Sequence, residues 1–129
     1  MKIVRQKRIK RQDLRRTKDT HIYLFGDNML EEGYGGQAKE MRGEPNAIGI
    51  PTKWKPTMEQ YAFFSNEDYF IVSQTIHLRF LRAYKLMIKG KIIVIPADGI
   101  GTGRAKLKEK APAILILINR YIEMLEVKK

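Results

Sequence analysis

Two uninterrupted apolar runs anchor the hydrophobic pattern of the chain. Ile92 to Ile95 is β-branched throughout and reads as a strand buried on both faces, the habit of a parallel-type sheet covered by helices. His21 to Phe25, HIYLF, reads as a second such strand, and Asn46 to Ile50 as a third, ending in Pro51-Thr52-Lys53-Trp54-Lys55-Pro56. Ile3, Val4 and Ile9 alternate only partly among basic residues, which suits an edge strand whose charges deter edge-to-edge pairing. Gln12 to Arg16 reads as one helical turn, and Gln37 to Arg42 as a helix that resumes after a glycine-rich loop. Thr57 followed by Gln60 forms a capping-box pattern for a brief helix through Phe63, and Ser65 with Asp68 forms another. Phe70, Ile76, Phe80, Leu81, Tyr84 and Ile88 then fall near helical spacing, predicting one helix from Glu67 to Lys89 with Gly90 just past its end. Pro112 opens a last helix over Ala113 to Leu125. Its segment Ile114 to Ile118 is apolar all round, so it is either deeply buried or covered by a partner chain, which raises the expectation of a homodimer. Strands alternating with helices predict an α/β domain of three layers, α/β/α, with a small mixed sheet. It should occupy residues 1–129, with a basic strand or arm over residues 1–20.

Composition narrows the function classes. At 129 residues the chain is one domain by length and large enough for a core. The longest apolar stretch, Ala113 to Ile118, is far too short to span a bilayer, so no membrane association is expected and the plain reading is an intracellular, cytoplasmic protein. With no cysteine there is neither a disulfide framework nor a thiolate site. His21 and His77 lie far apart in sequence without ligand partners, so neither a metal nor a resident cofactor is expected. The net charge of +11 favours polyanionic partners. Much of the excess lies between Lys2 and Lys18, a segment that either tracks nucleic-acid phosphates or forms a solvated edge.

Candidate chemistry concentrates in two glycine loops, each following a strand. The first runs Gly26-Asp27-Asn28 and then Gly33-Tyr34-Gly35-Gly36-Gln37; the second is Gly99-Ile100-Gly101-Thr102-Gly103. Such loops let backbone N–H groups converge on an anion, at the carboxyl ends of strands where ligands of open α/β sheets sit. Neither spacing fits a dinucleotide fingerprint or a Walker loop. Asp27 and Asn28 either contact a ligand's ribose or cap a turn, and Asp98 carries the same ambiguity one strand over. A carboxylate aimed at a sugar would serve as general base on a water. Lys53, following Thr52 at a strand end, would act as an amine nucleophile, as a phosphate contact, or as one lysine among many. No Ser-His-Asp set follows from spacing.

The order FGDN at Phe25 to Asn28, GYGGQA at Gly33 to Ala38, IPTK at Ile50 to Lys53 and IPADGIGTG at Ile95 to Gly103 resembles the macrodomain-like family, especially its small bacterial and phage branch. The resemblance covers Tyr23 to about Leu125. It implies a macro-like fold that binds ADP-ribose, with hydrolysis of an ADP-ribosyl linkage as an added activity. It implies that Gly33, Gly35 and Gly36 flank the distal ribose and that Gly99 to Gly103 wraps the diphosphate, with Gly26, Asp27, Asn28, Gln37 and Thr52 nearby. The terminal ADP-ribose protein glycohydrolase branch uses a lysine after a similar strand, the position of Lys53, and an aspartate beyond the second loop. That aspartate falls where Arg104-Ala105 stand here, which leaves Lys53, Asp98 and Asp27 as the residues to act on C1. The alternative function is a basic accessory protein that binds nucleic acid through its N-terminal segment.

Overall fold

The faces of the central strands carry different residues, and each set finds its own layer of helices. Strands β1 (Lys2–Gln6), β2 (His21–Asn28), β3 (Ala47–Lys53) and β4 (Ile92–Pro96) form one sheet in the order β1-β4-β2-β3, in a computed structural model that describes residues 2–127. Position 1 and positions 128–129 of the expected domain lie outside the described residues. Every pairing is parallel, with Val4 opposite Val94, Tyr23 opposite Val94 and Phe25 opposite Gly49. The expected mixed sheet is thus replaced by a parallel one, because each of the three connections between successive strands is a crossover and none is a hairpin.

Ile22, Leu24, Ile48, Ile50, Ile93 and Ile95 point to one face and meet α3 (Tyr69–Ile88) and α5 (Pro112–Val127). Helix α3 contributes Val72, Ile76, Phe80, Ala83 and Met87, and α5 contributes Ile114, Ile118, Ile122 and Leu125, each set one stripe at helical spacing. Fully burying such a side chain stabilises the fold by about 1.5–3 kcal/mol. Ile114 and Ile118 are core residues, which explains part of the all-apolar start of α5 within the chain, while Ile116 between them is 54% exposed. The opposite face carries Tyr23, Phe25 and Val94 against the short helices α1 (Arg11–Arg16) and α2 (Ala38–Met41), through Leu14, Ala38 and Met41.

Several boundaries differ from the sequence expectation. Gly26, Asp27 and Asn28 belong to β2, and Pro51, Thr52 and Lys53 to β3, so the polar motif residues are strand ends. Pro51 is tolerated because β3 is an edge strand. Thr57 caps nothing; a 3-10 turn over Gln60–Ala62 starts from Glu59. Ser65 and Asp68 do form a capping box, at a 3-10 turn leading into α3, and Gly90 ends α3 with a positive φ of 103°. The edge strand β1 is tied to α5 by the Arg5–Glu126 ion pair at 3.0 Å.

Three more cations of the basic segment are in ion pairs: Arg11, the most enclosed, and Arg15 with Glu44, and Arg16 with Asp13, the last two at the surface. The Arg11 hydrogen bond, with help from Arg15, holds the Glu44 carboxyl below its ordinary value. That contribution to stability is in place at neutral pH and is lost as pH falls through the lowered value. Among the described residues no helix is long and apolar enough to cross a membrane.

Gly49 is where β3 makes room for Asp27. A Cβ there would stand 2.4 Å from Asp27 Oδ2 and 2.8 Å from Asp27 Cβ, a backbone-proximal atom that cannot swing away. Gly49→Ala should therefore lower the urea midpoint by an amount corresponding to about 1–3 kcal/mol with an unchanged m-value. A midpoint within error of the parent would contradict this packing.

Candidate functional site

Strands β2 and β4 are neighbours, yet the chain leaves them toward opposite faces: to α2 after β2, and to α4 (Leu107–Lys110) and α5 after β4. This is a topological switch point, the place where open α/β sheets leave a crevice beyond the carboxyl ends of their strands. A cavity of about 150 Å³ lies there, lined from β2 by Gly26, Asp27 and Asn28, and from β3 by Thr52 and Lys53. The loop after β2 adds Gly35, Gly36 and Gln37, and the loop after β4 adds Gly101, Gly103 and Arg104. The two glycine loops therefore face one space.

Gln37 spans them. Its Oε1 accepts from Gly26 N at 2.7 Å and its Nε2 donates to Gly99 O at 2.9 Å. On the far side, the Arg104 guanidinium covers Gly35, where a Cβ would come within 2.7 Å of Nη1. Gly101 has φ +85°, and a Cβ on it would meet Leu107 Cδ1 at 2.4 Å, so both its conformation and its packing require glycine. Among the described residues, the N–H groups of Gly35, Gly36, Gly101, Thr102 and Gly103 donate to no protein acceptor. Among the described residues, the non-glycine residues with positive φ, Arg8, Glu31 and Lys106, all lie in loops leaving this edge of the sheet.

Asp27 is buried and bound. Arg42, at the end of α2, grips it from Nη2 to Oδ1 at 2.5 Å and from Nη1 to Oδ2 at 3.2 Å, and Asn28 N donates to Oδ1 at 2.7 Å. The same guanidinium group donates from Nε to Gly33 O at 2.6 Å, so one side chain fixes both the carboxylate and the loop. Asn28 is used locally: Nδ2 donates to Glu32 O at 2.8 Å, and Oδ1 accepts from Leu30 N at 3.1 Å. Thr52 Oγ1 donates to Asp27 O at 2.9 Å. Lys53 is buried, donates through Nζ to Thr57 O, and sits 4.7 Å from the centre of the Phe63 ring. Burial lowers its pKa, and the nearby Arg104 charge lowers it further.

The remaining expected residues fall elsewhere. Asp98 is exposed and faces a second hollow of about 280 Å³ with Lys7 and Arg8, across Gly36 and Gln37 from Lys53. Ile100 turns into the main core, and Thr102 Oγ1 donates to Asp98 O at 2.8 Å. Gly33 and Gly99 shape the loops without lining the cavity. Among the described residues no group of three His, Asp or Glu side chains could hold a metal ion.

Residues 4–121 match the model of a family of unknown function, DUF7831. The chain belongs to this family. The matched segment contains both glycine loops and every cavity residue named above. No curated protein and no solved structure matches the chain.

Sequence reasoning missed Arg42 and Glu32, and met Arg104 only as a departure from a motif. Arg42 carried a weak signal, being the basic residue at the end of the helix that follows the first glycine loop. Removing it strands a buried carboxylate, so Arg42→Ala should destabilise the protein by about 3–5 kcal/mol in chemical denaturation. A loss under about 1 kcal/mol would show that Asp27 does not depend on it. Arg104→Ala should raise the Lys53 pKa toward the ordinary lysine value, read by NMR titration of the Lys53 Nζ resonance. An unchanged or lower value would mean that the two cations do not share the cavity.

Proposed function

We propose that the cavity binds ADP-ribose or a related nucleotide diphosphate through its phosphates, as the resemblance to macrodomain-like proteins implies. The observation that carries this reading is the meeting of the two glycine loops over one space, with unpartnered N–H groups on both sides. Successive N–H groups of this kind make an anion-binding nest. Lys53 and Arg104 add positive charge from the floor and the lid, while the Asp27 carboxylate is neutralised by Arg42. The space of about 150 Å³ is below the usual size of a pocket for a whole nucleotide, so the phosphates would occupy it and the base would lie outside.

Hydrolysis of an ADP-ribosyl linkage is the added activity under this reading. Of the three residues expected to act on C1, Lys53 alone both reaches the cavity and is free of an ion pair. Its lowered pKa raises the share of free amine available to attack C1, forming a C1–N bond as the bond from C1 to the leaving group breaks, and water then hydrolyses that adduct to release ADP-ribose and the amine.

Calorimetry supplies the test. ADP-ribose should bind with measurable heat in the micromolar range, and adenosine, which lacks the diphosphate, should not. Arg104→Ala should weaken ADP-ribose binding by about tenfold or more, the usual worth of a hydrogen bond to a charged group. No heat at millimolar ADP-ribose, with the protein folded, would overturn the proposal.

A further inference from the structure

The excess of positive charge has to be located before a partner can be assigned to it. Among the described residues, four of the nine cations between Lys2 and Lys18 pair with carboxylates, Arg5 with Glu126, Arg11 and Arg15 with Glu44, and Arg16 with Asp13, so part of the basic N-terminal segment fastens the fold. The hollow beside Lys7 and Arg8 also holds Glu40 and Asp98, which offset them. Segments 53–59 and 104–110 differ: they carry six cations against two carboxylates, Glu59 and Glu109. These segments adjoin, because Lys53 and Arg104 share the cavity, and Lys53 and Lys110 both lie over the Phe63 ring.

Aromatic rings are interleaved with these charges. Tyr34, 65% exposed, stands in the first glycine loop between Gly33, which abuts Pro56, and Gly35, which lies under Arg104. Tyr61, 60% exposed, has the Lys55 ammonium 5.1 Å from its ring centre. Tyr34 and Lys55 adjoin the cavity lining at Gly35 and Pro56, and Tyr61 lies beneath Lys55 with the Glu59 carboxylate beside its hydroxyl. Alternating cations and exposed rings fit a strand whose phosphates and unstacked bases are both accessible. Among the described residues no long helix projects from this edge to enter a duplex groove, since α2 and α4 have four residues each and α3 and α5 pack on the sheet.

We propose that the rim formed by Tyr34, Lys55, Tyr61, Arg104 and Lys110 docks a single-stranded nucleic acid across the cavity mouth. Lys55, Arg104 and Lys110 contact phosphates, and Tyr34 and Tyr61 stack on bases. This surface does not depend on the ADP-ribose reading, because an unmodified strand suffices to occupy it.

The test is fluorescence anisotropy of the full chain with a labelled single strand of about 12 nucleotides, beside the same sequence as a duplex, heparin, and phosphatidylserine vesicles. Single-strand affinity should exceed duplex affinity about tenfold. The K55E/K110E double variant should bind about tenfold more weakly, and the slope of log affinity against log salt should shrink by about 1.4, or about 0.7 for each phosphate that is no longer neutralised. The Y34A/Y61A double variant should bind about fivefold more weakly or worse with the slope unchanged, and both variants should melt like the parent. ADP-ribose calorimetry on the same variants separates the two proposals, because it should be unaffected by these four positions. Absent binding, equal affinity for duplex, heparin or vesicles, or indifference to the two tyrosines would overturn the inference.

Discussion

The Gln37 amide is the constraint on which the site depends. By accepting from β2 at Gly26 and donating to the loop after β4 at Gly99, it fixes the distance between two segments that are more than sixty residues apart in sequence. Glycine-rich backbone is costly to order, and two such loops left to themselves would sample many separations. The bidentate Arg42 grip on Asp27, continued to Gly33 O, does the same work for the outer half of the first loop. Rigid strand ends, one bridging amide and one guanidinium group thus hold a cavity open that the loops alone would not define.

The electrostatics follow from that frame. Asp27 is the carboxylate most deeply placed at the site, and Arg42 removes its repulsion toward an anionic ligand. Lys53 and Arg104 then remain as uncompensated cations, close enough for one to lower the other's proton affinity. Two like charges held near each other store repulsion, which a bound phosphate would relieve under the function proposed above.

Much of the fold was legible because its strands carry unbroken β-branched runs and its helices carry clean stripes. Ile92 to Ile95 left little ambiguity, whereas of the stripe expected on α3 only Ile76 and Phe80 are buried, Phe70 and Ile88 are exposed, and the buried face is completed by Val72, Ala83 and Met87. The strand ends were harder. Gly26-Asp27-Asn28 and Pro51-Thr52-Lys53 have loop composition, yet parallel pairing across β2 and β3 carries them into the sheet. The parallel sense of the sheet depended on crossovers that periodicity does not report. At the site, Gly35 and Gly101 stand where other atoms come close, whereas a Cβ at Gly36 or Gly103 would meet nothing within 4 Å. The roles of Gln37 and Arg42 were hidden, because each acts through side-chain contacts set by tertiary geometry. The same holds for Asp98 and Lys53, which lie on opposite sides of Gly36 and Gln37 although each follows a strand of the same sheet.

The central claim is geometric, and a crystal structure of the protein soaked with ADP-ribose tests it most directly. The diphosphate should lie between Gly35–Gly36 and Gly101–Gly103, within hydrogen-bond reach of their N–H groups, with Arg104 over it and the ribose toward Lys53. Density for the ligand at another surface, or a cavity that stays empty at saturating ADP-ribose, would contradict it.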